Sequence, residues 1–184
     1  MVDGLSPFFR SVLQLKSVKR AGWVSKVKIK NAESVADHTF SMCAIAMLLS
    51  DVLNLDTQRV MKMVILHDLA ESIIGDYIPG SVSAAQKQTK EKKAMKSILA
   101  KLPEKPRIEY GEIWIEYLRN KTDIAKLVHR VDKLEMALQA RRYAQEGYDR
   151  NLIAPFFASA RKAVGNKGDI VSEILNSLNP SPVR

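Results

Sequence analysis

The sequence predicts an all-α protein, a bundle of helices around one core. Three observations predict it. Apolar residues recur at intervals of three and four through most of the chain, as in Val60, Met63, Val64 and Leu66. The one segment that alternates like a strand, Val27 to Lys30, is too short to build a sheet. Turn and cap residues (Asp56 with Thr57, Gly75, Gly80, Pro103, Pro106, Asn120 and Gly147) cut the rest into pieces of helical length.

In chain order, the first helix is expected from Phe8 to Ser17, with Pro7 in its first turn, where a missing N–H costs little. Ala21 and Gly22 break it, and residues 22–31 read as an extended loop carrying Trp23. The second helix, 34–53, opens on a capping box in which Ser34 and Asp37 satisfy each other's backbone N–H. Counting from His38, Met42, Ile45 and Leu49 follow at four, three and four residues, so His38 lies on the buried stripe. The third helix, 57–73, carries His67 and Asp68 near the end of its apolar run. Helices follow at 81–102, 107–119, 122–146 and 151–164, with a short one near 169–178. On the 107–119 helix, Tyr110, Ile113, Trp114, Tyr117 and Leu118 form a stripe that reads as core. A subunit interface, where Tyr and Trp are enriched, is the alternative, and Phe156 with Phe157 presents the same choice. Asp132 falls four residues after Val128 and four before Met136, on or beside a buried stripe. No repeat or long linker divides the chain, so 1–184 is expected as a single domain, with its core at about 8–164 and a short helix and tail after it.

A chain of 184 residues, 46% of them hydrophobic, can bury a sizeable core. The start has no basic segment leading into an apolar run, and no 18 apolar residues follow one another. Neither a signal peptide nor a membrane span is expected, and a cytoplasmic location is. The single cysteine, Cys43, excludes an intrachain disulfide and reads as an inert thiol in the second helix. A net charge of +9 invites a nucleic-acid partner. The lysine clusters at 16–30 and 87–101 have no nucleic-acid motif or interleaved aromatics, however, and the second reads as a solvated helix face. The same charge would draw in a small phosphate ester.

The chemistry gathers at the doublet His67-Asp68. A carboxylate beside a histidine on an apolar helix needs a partner that offsets desolvation, and a metal cation serves. Adjacent helical residues point about 100° apart, so the ion must lie in a crevice with further ligands from other helices. His38 and Asp132 supply them, completing a mixed nitrogen and oxygen set suited to a divalent first-row metal.

The order His38, His67-Asp68, Asp132 resembles the H…HD…D signature of the HD-domain metal-dependent phosphohydrolases. The words Arg20 to Trp23, Glu33 to His38, His67 to Glu71 and Gly75-Asp76 are similar to its 5′-deoxynucleotidase branch, over about residues 8–145. The resemblance implies an HD-domain helical bundle that removes the 5′-phosphate of deoxyribonucleoside monophosphates. It further implies a homodimer and a divalent cation (Mn, Co, Zn, Fe, Ni or Mg) at His38, His67, Asp68 and Asp132. Glu71, four residues after His67 and so on its helical face, would take a proton from the attacking water. By the same resemblance, Asp76 at the pocket mouth would meet the sugar or leaving oxygen, Arg20 the phosphate and Trp23 the sugar. His129 reads as structural, because the pattern's ligand at this end is Asp132. Two other readings remain. One is an HD phosphohydrolase acting on a triphosphate, cyclic or signalling nucleotide, against which the chain lacks the downstream Gly-Lys of binuclear HD enzymes. The other is a basic nucleic-acid-binding module with a structural metal.

Overall fold

The computed structural model describes residues 2–78 and 80–178. They form nine α-helices: α1 Val2–Gln14, α2 Val35–Val52, α3 Thr57–His67, α4 Glu71–Ile74, α5 Ala84–Leu99, α6 Glu104–Arg119, α7 Asp123–Gln145, α8 Arg150–Val164 and α9 Ile170–Ser177. A single π turn, Trp23–Val27, lies between α1 and α2. There is no strand among the described residues, only an antiparallel bridge from Lys19 to Ser34. The all-α expectation holds. The tail beyond 178 lies outside the described residues.

Helix α7 is the axis. It packs against α2, α3, α6, α8 and α9, and it can do so because small residues, Ala125, Ala137 and Ala140, alternate with Val128, Val131 and Leu134 around its buried surface. The α2 helix lies beside it and against α3. By length and apolarity α2 would suffice to cross a membrane, yet it carries a fully buried histidine, His38, turned into the bundle. Ser34 starts α2 as expected: its hydroxyl accepts from the Asp37 N–H at 3.1 Å, and Asp37 accepts from the Ser34 N–H at 2.8 Å. The Ser34 N–H and hydroxyl hold the Asp37 carboxyl below its ordinary pKa. Asp56, Ser83, Thr122, Asp149 and Asp169 cap α3, α5, α7, α8 and α9 in the same manner.

Four stretches differ most from expectation. The helix expected over 57–73 stops at His67. Asp68 sits at φ −107°, ψ 10°, the Glu71 N–H returns to the Asp68 carbonyl at 2.9 Å, and the short α4 starts there and ends at Gly75, φ 76°. No Gly or Pro marks the break, which arises where the buried His67 and half-buried Asp68 meet the other helices. The loop expected at 22–31 winds instead into the π turn, closed by Lys28 in the left-handed region at φ 64°, and it buries Trp23, Val27 and Ile29. The first helix begins at Val2, so Pro7 lies inside it, and α6 begins at Glu104 with Pro106 in its first turn, where it removes no helical bond.

At the end of the chain, α9 is tied to α7 by a two-pronged contact. Arg130 donates to both oxygens of Asp169, at 2.7 and 2.6 Å, and Asp169 also accepts from the Ser172 N–H. Arg130 first, and then Ser172, outweigh burial and hold the Asp169 carboxyl far below the ordinary range. A depressed carboxyl contributes stability above its unfolded pKa of about 3.9 and loses it as pH falls through the native value. Asp169→Ala is therefore expected to destabilise the protein by about 1–3 kcal/mol at pH 7. In urea titrations the difference from wild type should shrink below about pH 4; a difference unchanged from pH 7 to pH 3 would mean that the ion pair does not anchor α9.

Candidate metal centre

The ends of α3 and α4 and the inner faces of α5, α6 and α7 enclose a cleft of about 380 Å³. At its floor, the break after His67 lets neighbouring side chains turn toward one point: Asp68 Oδ2 lies 3.1 Å from His67 Nε2. From α2, His38 Nε2 reaches 4.0 Å from Asp68 Oδ2 and 3.5 Å from Asp132 Oδ1 on α7. Donors about 2.1 Å from one ion stand roughly 3–4 Å from one another, and those of His38, His67 and Asp68, all within 4.8 Å of one another, suit a shared cation, with Asp132 beside His38 outside that group of three.

The ring nitrogens agree with that assignment. The Nδ1 of His67 meets the Val64 carbonyl at 2.6 Å, and the Nδ1 of His38 meets Glu135 at 2.5 Å. Both acceptors call for an N–H at Nδ1, so that the lone pair of the neutral ring lies on Nε2. Both Nε2 atoms are buried without a hydrogen-bond partner. Two unpartnered imidazole nitrogens facing two carboxylates fit a divalent metal, and the donor set does not favour one ion over another. The carboxylates are ready to serve. Burial opposes ionisation of Asp68, but His67, Arg20 and His38 outweigh it and hold its pKa below the ordinary range. Burial likewise opposes ionisation of Asp132, and Lys133, His38 and Arg20 overcome it. Asp132 and Glu135, against burial and Arg20, draw the His38 ring up to about 9, so that without a cation Nε2 carries a proton which a metal would displace.

Arg20 enters from the segment before the π turn, 3.5 Å from Asp68 and 4.0 Å from Asp132. Burial works against its charge, and the carboxylates of Asp68, Asp132, Asp76 and Glu71 more than restore it. Glu71, at the start of α4, is buried with its Oε2 unpartnered and its Oε1 3.8 Å from Lys87. Burial first, then Asp68 and Asp76, push its pKa well above the ordinary carboxylate value. Asp76 follows Gly75 as expected, and its Oδ2 accepts from the Ala21 N–H at 2.7 Å, which ties the loop to the Arg20 segment. Trp23 lines the cleft but is only 1% exposed, because its indole stacks on Phe156 at 3.9 Å and donates to Glu33 at 2.8 Å. His129 stacks on Tyr117 and bonds its carbonyl, away from the two unpartnered nitrogens.

Residues 12–170 match the family model of the HD domain. The chain belongs to the HD-domain family. Among similar proteins, the 5′-deoxynucleotidase HDDC2 of Danio rerio is 37% identical over 184 residues, all of this chain and 90% of that protein. The human 5′-deoxynucleotidase HDDC2 is 37% identical over 156 residues, 84% of this chain and 76% of that one. A crystal structure of a Pyrococcus horikoshii protein superimposes with a TM-score of 0.77 at 30% identity, covering 97% of this chain and 98% of that one. The HD domain implies a divalent metal, in keeping with the donors at the floor of this cleft.

Several cleft residues of this HD-domain protein escape a reading of the sequence. Lys87, inside the lysine cluster expected as a solvated face, turns inward between Glu71 and Glu91. The inward Lys87 lies at 3.8 and 3.4 Å from these carboxylates and has no periodicity signal to separate it from its neighbours. Phe156 was ambiguous between core and interface and proves to be a wall of the cleft. Glu135, behind the cleft, had a signal, since it lies one helical turn after Asp132 and so shares its face.

If the two Nε2 atoms hold a metal, saturating Mn²⁺ or Co²⁺ at about 100 times Kd should add roughly 2.7 kcal/mol to metal-free protein. For a chain of this size that is a rise in Tm of about 5–11 °C. His67→Ala should abolish the rise while helical circular dichroism persists. An equal rise in that variant would remove His67 from the ligand set.

Proposed function

We propose that this HD-domain protein hydrolyses the 5′-phosphate of deoxyribonucleoside monophosphates to deoxynucleoside and phosphate, with a divalent metal on His38, His67, Asp68 and Asp132. One observation carries the reading: two buried, unpartnered imidazole nitrogens face two carboxylates beneath a cleft that Arg20 enters. The zebrafish and human relatives, both named 5′-deoxynucleotidases, supply the substrate class.

When bound, a divalent ion supplies Lewis acidity to the phosphoryl group and lowers the pKa of water. The chain does the rest. Arg20 presents a planar fork of donors to phosphate oxygens, and its contacts with Asp68 and Asp132 hold that fork beside the donors. As water oxygen bonds to phosphorus and the P–O5′ bond breaks, Glu71 takes the water proton on Oε2 and returns it to O5′, which leaves as the nucleoside hydroxyl. Its raised proton affinity suits that task. Asp76, with Oδ2 held by Ala21, keeps Oδ1 for the sugar side. Trp23, braced by Phe156, is a rigid apolar surface against deoxyribose. A cytoplasmic homodimer belongs to the same reading, and the exposed Phe40, Met47 and Leu48 on the outer face of α2 support a second copy there.

Glu71→Gln is expected to lower phosphate release by about 10²-fold or more while metal content by elemental analysis stays near wild type. Loss of metal in step with activity would make Glu71 a ligand instead.

Sugar choice tests the substrate class. An added hydroxyl is rejected when it is buried against a wall with no partner. Wild type should therefore release phosphate from dAMP faster than from AMP. Trp23→Phe, which keeps an aromatic ring in the core but loses the indole's reach and its bond to Glu33, should narrow that ratio. Truncation to Ala is the poorer test, since emptying so buried a site costs about 3–5 kcal/mol of stability. Equal rates on AMP and dAMP in wild type would reduce the assignment to a general nucleotidase.

A further inference from the structure

Behind the cleft, on the side of His38 away from Asp68, stand two glutamates, Glu135 buried and Glu33 half-buried. Glu135 is 2% exposed, and its Oε2 sits 2.5 Å from His38 Nδ1. One carboxylate oxygen of Glu33, one of Glu135 and a ring nitrogen of His38 all lie within 4.8 Å of one another. An ionised carboxylate taken that far from water is strongly destabilising unless a partner meets it. His38 is the partner that Glu135 has.

The arrangement follows from one helix. Asp132 and Glu135 are three residues apart on α7 and therefore face the same way. They reach the two nitrogens of a single ring: Asp132 Oδ1 is 3.5 Å from Nε2, and Glu135 Oε2 is at Nδ1. The Glu135 oxygen carries only lone pairs, so a lone pair on Nδ1 would repel it and the proton must sit there. The opposite nitrogen is thereby left as the electron donor. Glu33 extends the chain outward. It accepts from the Trp23 indole N–H at 2.8 Å, its own N–H donates to the Tyr143 hydroxyl at 3.0 Å, and its carbonyl accepts from the Arg20 N–H at 3.1 Å.

We propose that Glu135 is a positioning residue that fixes the His38 ring with Nε2 toward the metal pole; Glu33, anchored by Trp23 and the Arg20 segment, is a second carboxylate within 4.8 Å of that contact. The inference rests on the reading of His38 as a metal ligand and goes beyond it by assigning the residue that makes it one. A carboxylate on the far nitrogen fixes tautomer and orientation and raises the ring's basicity, and losing such a partner costs metal affinity about 10- to 100-fold.

The test is calorimetric titration of Co²⁺ into metal-stripped full-length protein. His38→Ala is the control for the ligand reading: wild-type affinity in that variant would end the reading itself, and the brace with it. With that control lost to Co²⁺ as expected, Glu135→Leu, which keeps bulk but has no acceptor, should bind about 10- to 100-fold more weakly. Glu135→Gln, which keeps an acceptor for the Nδ1 proton without the charge, should recover part of that loss. Circular dichroism and cooperative thermal unfolding of the metal-free variants separate lost positioning from lost fold, and if the leucine variant does not fold, the glutamine variant carries the test. Wild-type Co²⁺ affinity in whichever of the two folds would overturn the proposal. Glu33→Gln, tested alongside, should weaken Co²⁺ binding less than Glu135→Leu; a greater loss would make Glu33 rather than Glu135 the principal support of His38.

Discussion

Two imidazole nitrogens, Nε2 of His38 and of His67, are held in the interior with no hydrogen-bond partner to meet them. Much else in the architecture follows from keeping them so. Each ring is clamped from behind, His67 by the Val64 carbonyl of its own helix and His38 by Glu135 of another, because an imidazole can offer a lone pair in a chosen direction only if its other nitrogen is spoken for. The clamps differ in strength. A backbone carbonyl one turn away comes with the helix, whereas a buried glutamate must be accommodated by the surrounding core. The site thus joins α2, α3 and α7, three helices that also pack on one another, and the geometry of the donors inherits the rigidity of that packing.

The break between α3 and α4 is the local price of the same arrangement. In a continuous helix His67 and Asp68 would diverge by about 100° and could not address one ion closely. Ending α3 at His67 lets the two side chains meet at 3.1 Å and starts a new turn that sends Glu71 inward, unpartnered at Oε2. The short α4 ends at Gly75, and the loop beyond is held by the contact of Asp76 with the Ala21 N–H. This contact links the loop to the segment that delivers Arg20, so the elements after the doublet and before α2 are positioned together.

How much of this was legible from the residues depends on whether a signal is periodic or contextual. The inward direction of His38 was legible, because Met42 and Leu49 repeat at its spacing on a helix whose start is written in Ser34 and Asp37, and both proved buried. The break after His67 was not, because no Gly or Pro announces it and the apolar period runs straight through. The π turn at Trp23 was hidden for a related reason: its residues lack helical periodicity, and its order comes from Trp23, Val27 and Ile29 sinking into a core built elsewhere. Lys87 shows the limit of composition, since one lysine among many turns inward only because Glu71 and Glu91 are there to receive it. The word around Trp23 pointed to the right wall of the cleft but could not reveal Phe156, which comes from a helix more than a hundred residues later and covers the indole face.

The electrostatics of the protein are layered in a way that net charge conceals. With a formal charge of +9, the surface field favours the approach of an anion. The floor of the cleft is the opposite: Asp68, Asp132, Glu71 and Asp76 crowd it, burial together with Asp68 and Asp76 raises the pKa of Glu71 well above its ordinary value, and Asp132 with Glu135 behind the ring raises that of His38 to about 9. Such a floor repels a phosphate dianion until a cation occupies it. Arg20 alone does not reverse that balance, since its charge is already shared among these carboxylates. The resident charge and the anionic ligand therefore depend on one another: a metal makes the floor attractive to phosphate, and the crowded carboxylates make the floor attractive to a metal. Surface charge governs how fast an anion arrives. The buried carboxylates govern whether there is anything for it to bind.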